Sequence, residues 1–262
     1  MADDSQLEYE DGQTESQPEQ AQRQTQAQQP ATQSASSELP IKEGAVVGSI
    51  AVIATYLSHL LFTIIATADS TPAGDTEMVG VATAGGWSYL SALGTGFEAE
   101  GEPATLGDAP NHAAAFATSP FTLSTTVLAL LTLGGALAAG YGIAKYTGTD
   151  NAVDAVKASA TVVPPYLVFA LLAAFLLTHT YSDELVVSFV GTETSSGSVA
   201  GLDAEQFFNS DGEVTSDLEF GPATTGAVLY AGLLIPAVLA VIGGLVTQWE
   251  DALETVMAKV TQ

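Results

Sequence analysis

Four stretches of this chain contain no Asp, Glu, Lys or Arg: 44–68, 119–144, 158–182 and 222–249. An α-helix rises 1.5 Å per residue, and about 20 apolar residues cross a hydrocarbon core of about 30 Å. Four such helices in a chain of 262 residues leave too little amphipathic material to cover them in water. The expected fold is therefore an all-α membrane protein, a four-helix transmembrane bundle with the lipid bilayer as its first partner. Pro164 and Pro165 fit the first turn of a helix, where a missing N–H costs little. They imply that Asn151–Val163 is an interfacial lead-in to the third span. Pro236 lies inside the fourth stretch and implies a kink or locally broken hydrogen bonding.

The five Lys and Arg set the threading. Arg23 and Lys42 precede the first span, Lys145 and Lys157 flank the link between spans two and three, and Lys259 follows the fourth. The loops 69–118 and 183–221 carry none, but hold seven and nine acids. The positive-inside rule then puts both termini in the cytoplasm and both long loops outside the cell membrane. These acidic extracellular loops also carry aromatics, including Trp87, Tyr89, Phe97, Phe189 and Phe220, more than a purely solvating loop needs. They are expected to form a small ordered outer cap, with Gly85–Phe97 packed near the membrane surface and Leu185–Val190 as a strand by its β-branched pattern. Each half of the membrane domain reads as a span, an acidic loop and a returning span.

Outside 42–249 the chain changes character. Residues 1–41 read as a disordered cytoplasmic tail, with ten Gln between Gln6 and Gln33 and too few large apolar side chains to offset ordering. The acidic start has no signal-peptide core. Residues 250–262 place Leu253, Val256, Met257 and Val260 on one face of a cytoplasmic amphipathic helix. The net charge is −25, which excludes a basic nucleic-acid surface. Such an acid excess fits multi-molar salt, where the Debye length falls to roughly 3 Å and carboxylates serve solvation rather than long-range steering. With no Cys, disulfides and thiolate metal sites are excluded.

Candidate functional residues are few. His59 is the one Asp/Glu/Lys/Arg/His side chain well inside a span, and intramembrane ionisable residues are candidates by default. Thr55 and Thr63, at i−4 and i+4, make a polar stripe with it that either bonds a neighbouring helix or lines a pathway. Gly44 and Gly48 have GxxxG spacing, as small residues do at Gly140 and Gly244, which suggests close helix packing; Gly44 and Gly48 also suit a homodimer seam. His179 is expected at the interface and His112 in a loop, with no shared metal-ligand spacing. Asp203–Glu219 is acid-rich but has Phe207 at the first ligand position of a calcium loop. No catalytic, cofactor-binding or metal-binding motif is present.

Several short stretches carry a resemblance. They are Lys42-Glu43-Gly44-Ala45-Val46-Val47-Gly48, Gly85-Gly86-Trp87-Ser88-Tyr89-Leu90, Ala138-Ala139-Gly140-Tyr141-Gly142 and Gly221-Pro222. Their order over 42–249 resembles a haloarchaeal family of four-span membrane proteins of unknown function, sometimes loosely labelled transporters. The resemblance supplies no catalytic residue. Two functions stay open: a non-enzymatic assembly or accessory protein with a membrane-protein partner or in a homo-oligomer, and a permease or channel subunit for a small solute.

Overall fold

The computed structural model describes residues 39–68, 78–112, 122–182, 185–190 and 199–249. The expected disordered tail and the C-terminal helix 250–262 lie outside the described residues, apart from Leu39–Ile41. The elements run α1 (Ile41–Thr67), α2 (Val81–Ala92), β1 (Phe97–Ala99), β2 (Glu102–Ala104), α3 (Thr122–Tyr146), α4 (Ala152–Ala160), α5 (Val163–Leu176), β3 (His179–Tyr181), α6 (Val187–Val190), α7 (Ala204–Phe207), β4 (Leu218–Pro222) and α8 (Thr224–Val246).

α1, α3, the α4–α5 pair and α8 are long and apolar enough to cross a membrane. Large side chains such as Ile50, Leu130, Phe175 and Val238 are exposed along them, as a lipid-facing surface requires. The inward faces are built from small residues. A methyl added at Gly140 would overlap the Ala240 carbonyl, and one at Gly243 would overlap that of Leu137. α3 therefore meets α8 backbone to backbone. Gly244 abuts Ser159 and Ala155 of α4 in the same way.

The third span begins and ends earlier than the charge-free stretch. It starts at α4, where Asn151 Oδ1 accepts the Asp154 N–H at 3.0 Å and caps the helix. It pauses at Thr161–Val162 and resumes with the two prolines in the first turn of α5. α5 stops at Leu176, and His179–Tyr181 pairs as a strand. In α8, the eight residues Ala227–Leu234 form a π-helix immediately before Pro236. A proline removes its own N–H and crowds the preceding turn; the wider turn takes up that disruption without breaking the span.

The fold is not all helix. A four-stranded antiparallel sheet, in the order β2-β1-β4-β3, sits at one end of the bundle. β1 and β2 join through Glu100 and Gly101, both at positive φ (49° and 83°), the two-residue hairpin turn that matches strand twist. β4 alternates buried Leu218, exposed Glu219 and buried Phe220, so apolar groups enter the cap core and acid faces out. Leu185–Val190, expected as a strand, is instead a helical turn. The Phe189 N–H donates to Val186 O at 3.0 Å, and that spacing puts Val186 and Phe189 into one core. Two inward residues three apart suit a helix; a strand would send them to opposite faces.

Gly140 and Gly134 lie on the same helix, but only at Gly140 would a side chain strike another helix. Gly140→Ala is expected to lower unfolding stability in detergent by about 1–3 kcal/mol through overpacking. Gly134→Ala, with open space around it, is expected to be neutral or stabilising because alanine favours the helix.

Candidate functional site

The site is built around α2. It docks against α1 and α3 and near α5. Small residues allow this: a methyl at Gly85 would crowd the Leu60 backbone, and one at Gly86 would overlap Leu177. α2 ends in a Schellman cap. Gly94 takes positive φ (78°), Thr95 N–H donates to Leu90 O at 3.1 Å and Gly94 N–H to Ser91 O at 2.9 Å. The inward face of α2 carries Tyr89, Leu90 and Leu93, packed with Ala170, Ala173 and Ala231.

His59 holds α2 in place. The ring is 1% exposed. Its Nδ1 is 2.8 Å from Ser88 Oγ of α2, and its Nε2 is 2.8 Å from Thr132 Oγ1 of α3. In a neutral ring one nitrogen donates and the other accepts, and each hydroxyl can play either part. One side chain thereby joins three helices. Tyr89 stands edge-on to the ring at 5.6 Å, and Tyr56 Oη donates to Ala82 O at 3.2 Å, adding a second α1–α2 tie.

The rest of the stripe behaves differently. Thr55 Oγ1 donates to Ala51 O at 2.7 Å and Thr63 Oγ1 to His59 O at 2.9 Å. Both protons are spent on α1 itself, although both threonines are buried. The glycines are buried within the chain too. Gly44 abuts Thr161, and Gly48 abuts the Val162 carbonyl and Pro165. Their face is occupied by the chain's own third span, so the homodimer seam expected there is ruled out by steric occupancy. Gly140 meets Ala240 and Gly244 meets Ser159, whose Oγ also donates to Gly140 O at 3.4 Å.

Trp87, on the other face of α2, ties the bundle to the cap. Its Nε1–H donates to Leu177 O at 2.6 Å, just beyond the end of α5. The indole packs edge-on to Phe220 at 5.0 Å and Phe97 at 6.2 Å. Phe97 stacks on Phe220 at 5.6 Å with ring planes 6° apart. Tyr181 and Phe189 complete this core, and Tyr181 Oη donates to Pro110 O at 2.9 Å. Burial pushes the Tyr181 phenol up from its ordinary value. His112 lies 3% exposed beside Trp87, and burial pulls it down to about 4.

Between α1, α2 and α3 a crevice of about 40 Å³ is lined by Thr63, Ser88, His112, Ser124 and Thr125 among apolar neighbours. A second, of about 310 Å³, lies where the sheet meets the spans, with Glu98, Glu100 and Glu219 above Phe175 and Pro222. Among the described residues no three His, Cys, Asp or Glu side chains are grouped to hold a metal. Ser88, Thr132 and Tyr166 carry no sequence signal of a site, and Tyr89 stands out only as a loop aromatic. Ser88 and Tyr89 stand beside Trp87 in a quoted stretch, but nothing in their spacing reveals that they face His59.

Four apolar helices with a small capping sheet fit a multi-pass membrane protein. The chain belongs to a family of unknown function, DUF7978, whose model matches residues 23–251. No curated protein and no solved structure matches it.

Two outcomes follow. His59→Leu leaves the buried Thr132 hydroxyl and the half-buried Ser88 hydroxyl without their shared partner, and is expected to cost about 1–3 kcal/mol of unfolding stability in detergent. Folded His112 titrates about 4 and the unfolded residue at 6.5, so the unfolded chain binds the extra proton between them. Stability should therefore be full above pH 6.5 and fall as pH drops toward 4, by on the order of 3 kcal/mol. His112→Gln should flatten that part of the stability–pH curve.

Proposed function

We propose that this chain is a non-enzymatic assembly or accessory protein of a halophile's cell membrane, with both termini cytoplasmic and the sheet-containing cap outside. The observation that carries this reading is the cap itself. It has its own aromatic core, is tied to the bundle through Trp87 and Leu177, and continues directly from two spans through β3 and β4. A rigidly mounted domain presents a fixed surface to a partner. That surface is acidic, with Glu100, Glu205, Asp211, Glu213 and Asp217 exposed, in keeping with a cap hydrated at high salt. The contacts Gly140–Ala240 and Gly243–Leu137 leave no room for a solute between α3 and α8, which favours a scaffold over a pore. The partner is another membrane protein or a second copy meeting the cap.

The second reading is a permease or channel subunit for a small neutral solute. What favours it is the crevice that reaches Ser88, and hence His59, between α1, α2 and α3. Cross-linking in native membranes at native salt, followed by mass spectrometry, separates the two. A reproducible heterologous species joined through cap residues is expected; self-linked species alone would shift weight to a homo-oligomeric pore. A chain recovered unlinked that conducts a neutral solute in liposomes would overturn the accessory reading.

A further inference from the structure

The crevice between α1, α2 and α3 is polar where a gap facing only hydrocarbon would be apolar. Half of its ten lining residues carry a hydroxyl or an imidazole: Thr63, Ser88, His112, Ser124 and Thr125. Its volume is about 40 Å³, and a single water needs about 10–15 Å³. Two of the hydroxyls keep bonding capacity on this side. Thr63 Oγ1 gives its proton to His59 O at 2.9 Å, and its lone pairs stay open. Among the described residues, Ser88 Oγ is engaged by His59 Nδ1 alone, at 2.8 Å. The missing side chain of Gly85 leaves Thr63 Oγ1 uncovered, since a methyl there would stand 3.4 Å from that oxygen. Ser88 follows Gly85 by three residues on the same face of α2. Thr63 lies in the last turn or so of α1, and Ser124 and Thr125 in the first turn of α3. The mouth is therefore at the ends of the spans, beside Leu106 and His112.

We infer that this crevice holds ordered water that bridges Thr63 of α1 to Ser88 of α2. The bonds balance in either tautomer of His59. If Ser88 donates to Nδ1, one water gives a hydrogen to Ser88 Oγ and the other to Thr63 Oγ1. If Ser88 accepts from Nδ1, its own proton goes to the water oxygen. That water then gives one hydrogen to Thr63 and the other to a second water toward the mouth. The volume accommodates the second molecule. An acyl chain, the competing occupant in a bilayer, would leave both hydroxyls short of a partner. The clamp that docks α2 is thus continued by solvent: water, Ser88, His59 and Thr132 form one hydrogen-bonded series from the mouth into the bundle. This holds for a scaffold and for a conducting subunit alike.

Water-edited solid-state NMR on the full chain in lipid bilayers tests this. Thr55 and Thr132 serve as internal references, because both are buried and neither lines the crevice. Thr63 is 3% exposed and Thr55 7%, so surface exposure alone would make Thr55 the wetter residue. The expected order is the reverse, with water magnetisation reaching Thr63 and Ser88 faster than Thr55 and Thr132. Transfer to Thr63 no faster than to Thr55 would overturn the site. A cryo-EM map that resolves ordered waters provides the second readout. Density within hydrogen-bonding distance of Thr63 Oγ1 and Ser88 Oγ is expected in the wild type, and its loss is expected in Thr63→Val. Acyl-chain density in the crevice, an empty crevice, or density that survives Thr63→Val would each refute the bridge.

Discussion

A histidine ring bonded through both nitrogens inside an apolar bundle organises the cap half of this molecule. Hydrocarbon supplies no partner to an imidazole, so His59 must find its partners in the protein. It finds them on two different helices, Ser88 and Thr132. The consequence is that α2, which the chain could have left as part of a long loop, is drawn between the spans. Leu90 and Leu93 then bury against Ala170, Ala173 and Ala231. The polar clamp sets the position, and the apolar side chains of α2 pack closely where it permits.

Docking α2 also positions the cap. Trp87 shares a helix with Ser88 but points the other way, to Leu177 and to Phe97 and Phe220 of the sheet. Adjacent residues on a helix diverge by about 100°, so one short helix serves two cores. The sheet is held from below as well, because β3 follows α5 and β4 precedes α8 within a few residues. The opposite half of the bundle relies on another device, the direct backbone contact of small residues at Gly44, Gly48, Gly140, Gly243 and Gly244. In lipid, where burying a side chain gains little over leaving it among acyl chains, such close approach is how helices attract.

The spans were legible because runs of about 20 apolar residues without a charge suit the hydrocarbon core. Their ends were less legible. Asp154 and Lys157 sit on the exposed first turns of α4, where charge is cheap, so a charge-free criterion started that span too late. His179–Tyr181, a His-Thr-Tyr segment, ends a charge-free stretch without a helix stop signal; pairing with β4 makes it a strand. Val186 and Val190 suggested a strand by propensity, but the shape of the cap core prevailed over propensity. The hairpin at Glu100–Gly101 was hidden because a glycine in a glycine-rich chain announces nothing by itself. His59 stood out from its chemistry alone. Its partners did not, since they lie 29 and 73 residues away and serines and threonines are common in these segments.

Backbone amide exchange of residues 81–92 in the detergent-solubilised protein, read by mass spectrometry, bears most directly on the central claim that α2 is clamped among the spans. Protection comparable to that of α1 and α3, lost on His59→Leu while the spans stay protected, is the expected result. Exchange of 81–92 within seconds in the wild-type protein would show a mobile loop and contradict it.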